Sequence, residues 1–155
     1  MIAKMFVDGS SFGNPGPAGI GVIIVTNSIE EMSIPIGIAT NNEAEYRALL
    51  SGLQKALDMG IRQIEAFIDS EVVAQQIKQV YKIKNPKLMT LYKKIIELTK
   101  NFEVFQINYI TREQNSKADQ LAKQAAGRSA MFSKNALLTS LSSNRIQDTA
   151  LSRRK

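Results

Sequence analysis

The chain contains no cysteine and no histidine among its 155 residues. Without cysteine it has no disulfides, no thiolate nucleophile and no zinc knuckle. Without histidine it lacks the commonest zinc ligand and the commonest general base. Any catalysis must therefore depend on carboxylates, lysines or hydroxyl groups.

Long hydrophobic runs are also missing. No apolar stretch approaches the roughly 20 residues that cross a bilayer, and the N-terminus has no basic region followed by an apolar segment and a small-residue cleavage site. Apolar residues make up 44% of the chain, a normal share for one globular domain. We expect a cytoplasmic protein with no membrane partner.

The net charge of +6 is concentrated at the C-terminal end. From residue 127 onward there are six cations and one acid, whereas the preceding residues include 14 basic and 13 acidic side chains. The charge excess therefore says little about what the domain binds. We predict one domain over residues 1–127 and a basic, disordered tail over 128–155, with a loosely docked helix over 136–141 as the alternative.

The pattern of apolar residues predicts an α/β fold. The predicted strands are 2–7, 19–25, 32–38, 64–68 and 102–110, and the predicted helices are 43–59, 71–79, 86–100 and 114–126. Three consecutive strands come first, and helices separate the later ones. This order favours a mixed sheet with helices on both faces.

Two aspartates occupy equivalent places in this pattern. Asp8 and Asp69 each follow an apolar strand and precede a turn-forming residue. Either one alone is typical of an ordinary turn or helix cap. If the first and fourth strands lie side by side, however, both carboxylates meet at one end of the sheet, where α/β proteins bind their ligands.

Two further acids lie on predicted helices. Glu45 falls in the middle of an apolar helical stripe, where a carboxylate is seldom found unless its charge is compensated. Asp119 lies at the edge of the inward face of the last helix and, taken alone, is typical of a solvated helix residue. Clustered oxygen ligands without nitrogen or sulfur suit Mg²⁺ or Mn²⁺.

Four short motifs resemble those of type 1 ribonuclease H, in the same order and with similar gaps. They are DGSSFGNPGPAG at residues 8–19, TNNEAEY at 40–46, DSEVV at 69–73 and NSKAD at 115–119. The resemblance covers residues 1 to about 127. It implies the ribonuclease H-like fold, with a five-stranded mixed sheet flanked by helices, and an enzyme that cuts the RNA strand of RNA/DNA hybrids.

The resemblance also implies a catalytic site and its cofactors. Asp8, Glu45, Asp69 and Asp119 match the family's catalytic, metal-binding carboxylates. Two Mg²⁺ ions, with Mn²⁺ as a substitute, would activate water and stabilise the leaving oxygen, which gives 5′-phosphate and 3′-hydroxyl ends.

The same resemblance implies a substrate-binding set. Its members are Gly9, Ser10, Asn14, Asn41, Asn42 and Arg112. An amide is a donor and an acceptor, which suits the 2′-hydroxyl that distinguishes RNA from DNA. The alternatives are a turn role for Asn14, helix caps for Asn41 and Asn42, and a solvated loop residue for Arg112.

The chain departs from many type 1 enzymes in one respect, because the segment YITREQNSKAD has no histidine before the last motif. It resembles the histidine-lacking, archaeal-type branch of the family. Arg112 cannot replace the histidine as a general base, since its pKa lies above about 12.

Two other functions stay open at this point. One is a binding module of the same fold that grips hybrid or double-stranded RNA with little turnover. The other is a related nuclease that acts on double-stranded RNA or branched DNA. We expect a monomer whose partner is RNA/DNA hybrid, with double-stranded RNA as a further substrate.

Overall fold

The computed structural model describes the backbone of residues 1–153 and the side chains of residues 1–141. The strands and helices of this part follow one another in the order that the apolar pattern predicts. The strands are β1 (Ala3–Ser11), β2 (Gly16–Val25), β3 (Ile29–Ala39), β4 (Gln63–Ile68) and β5 (Val104–Tyr109). The helices are α1 (Asn41–Asp58), α2 (Glu71–Ile77), α3 (Pro86–Thr99) and α4 (Ser116–Arg153), and a short 3-10 turn, Glu113–Asn115, precedes α4.

The five strands form one mixed sheet in the order β3-β2-β1-β4-β5. β1 lies at its centre, antiparallel to β2 and parallel to β4. The last parallel pair joins Val7 to Ile68, so Asp8 and Asp69 are the next residues along the two strands. The first and fourth strands therefore lie side by side, which confirms the prediction.

Helices pack on both faces of the sheet, as predicted. On one face, a Cβ added to Gly52 of α1 would lie 3.2 Å from Cγ1 of Val22. On the other, a Cβ added to Gly21 would lie 2.2 Å from the carbonyl oxygen of Ala118 in α4. Val22 and Gly21 are consecutive in β2 and so point to opposite faces. The larger core lies on the α1 face, where Met5 and Leu49 are fully buried.

The strands around the first motif are longer than predicted. β1 continues through Asp8 to Ser11, and β2 begins at Gly16, so only residues 12–15 form the connection. The expectation that Asp8 ends its strand is wrong, because antiparallel pairing with β2 continues after pairing with β4 has stopped. The apolar pattern stops at Val7 because the next residues face the cleft and the helices.

The last helix also differs from the prediction. α4 runs from Ser116 to Arg153, without a break at residue 127. Ser129 is buried, and its hydroxyl donates to the carbonyl oxygen of Ala18 at 2.6 Å and accepts from the amide of Gly37 at 3.1 Å. The packed domain therefore extends past the predicted boundary, since α4 still contacts β2 and β3 there.

Beyond these contacts, the side chains of residues 131–141 are exposed. The side chains of 142–155, which belong to the predicted tail, lie outside the described residues. Within residues 1–153, no helix combines the length and apolar content needed to cross a membrane.

Candidate active site

Asp8 lies in the middle of the sheet and is nearly inaccessible to solvent. Asp8 pairs with Gly21 of β2. The residue before it, Val7, pairs with Ile68 of β4. Only 4% of the surface of Asp8 is exposed. Pairing with β2 at Asp8 and with β4 one residue earlier fixes the position of the carboxylate more firmly than a loop would.

Glu45 reaches the same point from the first turns of α1. The helix begins after Thr40, whose hydroxyl accepts from the amide of Glu43 at 3.1 Å. Glu45 is buried in the apolar stripe that the sequence predicted, and its Oε1 accepts from the amide of Gly9 at 3.2 Å. A Cβ on Gly9 would lie 2.4 Å from the amide nitrogen of Glu45, so glycine is required for this close approach.

Asp69 completes the group from the end of β4. One amide, the Nδ2 of Asn115, donates to the carbonyl oxygen of Val7 at 2.8 Å and lies 3.4 Å from Oδ2 of Asp69. Asn115 therefore ties the start of α4 to β1 and to the aspartate. Ser70 caps α2 by accepting from the amide of Val73 at 3.3 Å, which fixes the chain just after Asp69.

Three of the four predicted carboxylates converge. Asp8, Glu45 and Asp69 each offer an oxygen, and these oxygens lie within 4.8 Å of one another. Burial raises the pKa of Asp8, and the Glu45 carboxylate adds to the rise. Burial likewise raises the pKa of Glu45 and of Asp69, although hydrogen bonding from Asn115 opposes the rise at Asp69.

Asp119 faces the same cleft but lies outside this group of three. Its Oδ2 is 2.9 Å from Nζ of Lys123, one turn along α4. It is close enough to raise the pKa of Asp69 and of Glu45 by repulsion. The structure therefore brings all four acids to one cleft, with Asp119 at its edge and paired with a lysine.

The donor set fits a divalent cation. Among the side chains that the structure describes, Oε2 of Glu45 is buried without a hydrogen-bond partner. A buried carboxylate oxygen with no partner is costly, and a cation would offset that cost. Oxygen-only ligands suit Mg²⁺ or Mn²⁺ and do not suit zinc or copper.

The cleft around the acids has a volume of about 320 Å³. It is lined by Asp8, Gly9, Ser10, Asn41, Asn42, Glu45, Asp69, Ser70, Arg112, Asp119 and Lys123. Five of the six predicted substrate-binding residues are in this lining. Asn14 is absent from it, within the described residues, and is exposed; its Oδ1 accepts from the backbone amide of Asn41 at 3.1 Å.

Comparison with known proteins shows which family the chain is similar to. The model of the Reverse transcriptase-like family matches residues 6–125. The solved structure of RNase H1 from the halophilic archaeon Halobacterium salinarum is 36% identical, with a TM-score of 0.79 over 83% of this chain and 99% of that one.

The chain belongs to the ribonuclease HI family.

Two other relatives of this ribonuclease HI family member are informative. The Bifunctional protein Rv2228c of Mycobacterium tuberculosis is 38% identical over 122 residues, which are 76% of this chain and 34% of that protein. The chain thus spans about a third of the length of that curated relative. LC11-RNase H1, isolated from compost, was solved in complex with RNA/DNA hybrid; it is 34% identical, with a TM-score of 0.77, over 83% of this chain and 99% of that one.

Three residues that line the cleft of this ribonuclease HI chain or support its carboxylates were not among the predicted site residues. Asn115 positions Asp69, Ser70 caps α2, and Lys123 pairs with Asp119. The spacing of Asn115, Asp119 and Lys123, four residues apart, indicates one face of a helix. Nothing local in the sequence signals Ser70 beyond its preference for helix caps.

The raised carboxyl pKa values predict how stability depends on pH in this ribonuclease HI chain. In the metal-free protein, the folded state holds protons that the unfolded state releases above about pH 4. The free energy of unfolding should therefore be highest near that pH and fall as pH rises through neutrality. We expect a loss of at least about 1 kcal/mol between pH 5 and 8, since one pKa unit is worth about 1.4 kcal/mol.

Urea denaturation in chelator at several pH values measures this loss. Mn²⁺ or Mg²⁺ should reverse the trend, because an ion favours the ionised carboxylates. Stability that rises from pH 5 to 8 in chelator would contradict the prediction.

Proposed function

We propose that this chain is an endoribonuclease that hydrolyses the RNA strand of RNA/DNA hybrids and leaves 5′-phosphate and 3′-hydroxyl ends. The observation that carries the proposal is the convergence of Asp8, Glu45 and Asp69 within 4.8 Å in an open cleft. The relative solved with RNA/DNA hybrid supports the choice of substrate.

We assign the cofactor from the donor set. Asp8, Glu45 and Asp69 would hold one Mg²⁺ ion, and Asp119, at the edge of the cleft, would help to hold a second, with Mn²⁺ as a substitute. Bound divalent ions supply Lewis-acid stabilisation of the attacking water and of the leaving 3′ oxygen.

The residues around the acids hold the ligands in place. The amide of Gly9 holds one oxygen of Glu45, and the second, buried oxygen has no hydrogen-bond partner among the described residues. Asn115 holds Asp69 against β1. These contacts fix the carboxylates before substrate arrives, so little reorganisation is needed during the reaction.

The substrate would be recognised at the start of α1. Asn41 and Asn42 line the cleft beside Glu45, and their amides can donate to and accept from a ribose 2′-hydroxyl. Oδ1 of Asn41 accepts from the backbone amide of Ser11 at 3.1 Å, and the backbone amide of Asn41 donates to Oδ1 of Asn14. Asn14 thus positions Asn41, a different role from the direct contact that the resemblance implies.

Arg112, which also lines the cleft, would bind a phosphate. Burial raises the pKa of Asp69 and the Arg112 guanidinium opposes that rise, so its positive charge lies near the carboxylate. An arginine stays charged at any relevant pH and suits phosphate oxygens. It therefore contributes to binding and takes no proton from water. The cytoplasmic location stays a prediction from the sequence.

A substrate panel tests the proposal. Labelled RNA/DNA hybrid, double-stranded RNA, single-stranded RNA and branched DNA are each incubated with Mg²⁺, Mn²⁺ or chelator. We expect cleavage of the hybrid's RNA strand with either metal and none in chelator. An Asp69→Asn preparation made in the same way reports any contaminating nuclease.

The same panel separates the other functions. Tight binding of the hybrid without cleavage would indicate a binding module. Preferential cleavage of double-stranded RNA or branched DNA would indicate a related nuclease. Either result would overturn the proposed substrate.

A further inference from the structure

One side chain of the cleft has no role in the site so far. Lys123 follows Asp119 by one turn of α4, and its Nζ lies 2.9 Å from Oδ2 of the aspartate. The aspartate side chain is 22% exposed and the lysine side chain 57% exposed. Both line the cleft that holds Asp8 and Asp69.

The place of this ion pair matters more than its stability. An exposed pair one helical turn apart contributes little to folding. Here, however, the anion is the one predicted ligand that lies outside the group of three carboxylates. Its Oδ2 is paired with an ammonium group, so a divalent cation that binds this oxygen must compete with Lys123.

The other charges near the site do not take this role. The positive charge of Arg112 lies near Asp69 and opposes the rise in the pKa of that carboxyl. Lys117, also on α4, lies 3.8 Å from Oε1 of Glu31 and lines a different cavity with Phe6 and Val25. Lys123 is therefore the cation that the structure pairs with Asp119, within the described side chains.

We propose that Lys123 is an exchangeable counter-cation of the metal site. It neutralises Asp119 in the metal-free protein and is displaced from it when a divalent ion binds. The freed ammonium group, on its flexible four-carbon stem at the cleft, then binds a phosphate of the hybrid. The second part of this inference rests on the proposed function, whereas the first does not.

Ion binding tests the first part directly. Mn²⁺ binding to the full chain is measured by calorimetry, without nucleic acid, for the wild type and Lys123→Met. Removing one positive charge beside the site should tighten binding about three- to tenfold, because a like charge no longer opposes the ion. Lys123→Arg should restore the wild-type affinity, and Lys117→Met, which changes the same charge on the same helix, should leave it unchanged.

Hybrid cleavage tests the second part. Lys123→Met should raise KM for the hybrid about three- to tenfold through loss of a phosphate contact, with kcat changed by less than about twofold. A merely structural role would weaken ion binding and substrate binding together. The opposite signs of the two effects therefore distinguish exchange from misfolding.

Each outcome decides one part. Unchanged or weaker Mn²⁺ binding by Lys123→Met overturns the exchange. Tighter Mn²⁺ binding with an unchanged KM overturns the phosphate contact and keeps the exchange. If Lys123→Met binds Mn²⁺ more tightly but the wild type cleaves no hybrid, the proposed function fails and the exchange stands.

Discussion

Glu45→Gln is expected to reduce cleavage of RNA/DNA hybrid about a thousandfold, the scale found when a group that stabilises the transition state directly is removed. Oε1 of Glu45 already accepts from the amide of Gly9, and the buried Oε2 is left for an ion. Glutamine keeps the shape and the first contact. It removes the charge that would hold the metal.

The same substitution should stabilise the metal-free protein. In the wild type, Glu45 is buried beside Asp8 and Asp69, and burial, with added repulsion, raises the carboxyl pKa values. Removing one of these acids at pH 8 should relieve about 1–2 kcal/mol. The melting temperature in chelator should then rise by several degrees, at about 2–4 °C per kcal/mol for a chain of this size.

Glu43→Gln provides the control. Glu43 lies two residues earlier on α1, where its backbone amide donates to Thr40, and its side chain is not part of the cleft lining within the described residues. It should leave hybrid cleavage within about twofold of the wild type. A folded Glu45→Gln protein that cleaves hybrid at the wild-type rate would remove Glu45 from the metal site. A fall in its melting temperature would refute the repulsion argument.

Glu45 could be singled out in the sequence because an acid on an apolar helical stripe conflicts with burial. In the structure this acid lies beside two other carboxylates, so the conflict remains in the metal-free protein and a bound cation would relieve it. Asp8 and Asp69 were predicted for a different reason, because each follows an apolar strand. Parallel pairing of β1 with β4 brings these two aspartates close together, since its register places the preceding residues, Val7 and Ile68, side by side.

The length of β1 and of α4 was beyond sequence reasoning. Residues 9–11 have the local composition of a turn, yet they pair with β2. The helix α4, much later in the chain, packs against β2 and holds that strand in place. Ser129 is an ordinary polar residue in the sequence, and its burial depends on Ala18 and Gly37. Local patterns give no information on such partners.

The role of Asn14 shows the same limit. Both the turn and the substrate contact were plausible for it in the sequence. The structure adds a third role. Oδ1 of Asn14, in the connection between β1 and β2, accepts from the backbone amide of Asn41 at the start of α1. Only the three-dimensional arrangement brings those two motifs together.

Gly21→Ala is expected to destabilise the protein and impair the site together. Gly21 is the strand partner of Asp8, and an added Cβ would lie 2.2 Å from the carbonyl oxygen of Ala118 and 2.8 Å from the amide nitrogen of Ala122. Backbone cannot yield as a side chain can, so α4 must move away from the sheet. Such overpacking costs about 1–3 kcal/mol or more.

That movement would also shift Asp119, the residue after Ala118, relative to Asp8. A displacement of about 1 Å can cost about a hundredfold in rate, so we expect at least a tenfold loss of hybrid cleavage as well as a lower melting temperature. Gly127→Ala is the matched control, because its Cβ would meet only Phe12 Cε2, at 4.0 Å, within the described residues. Inside a helix, alanine should stabilise this position by up to about 1 kcal/mol and leave cleavage unchanged. If Gly21→Ala melts and cleaves like the wild type, the close packing of α4 on β2 does not hold Asp119 in place.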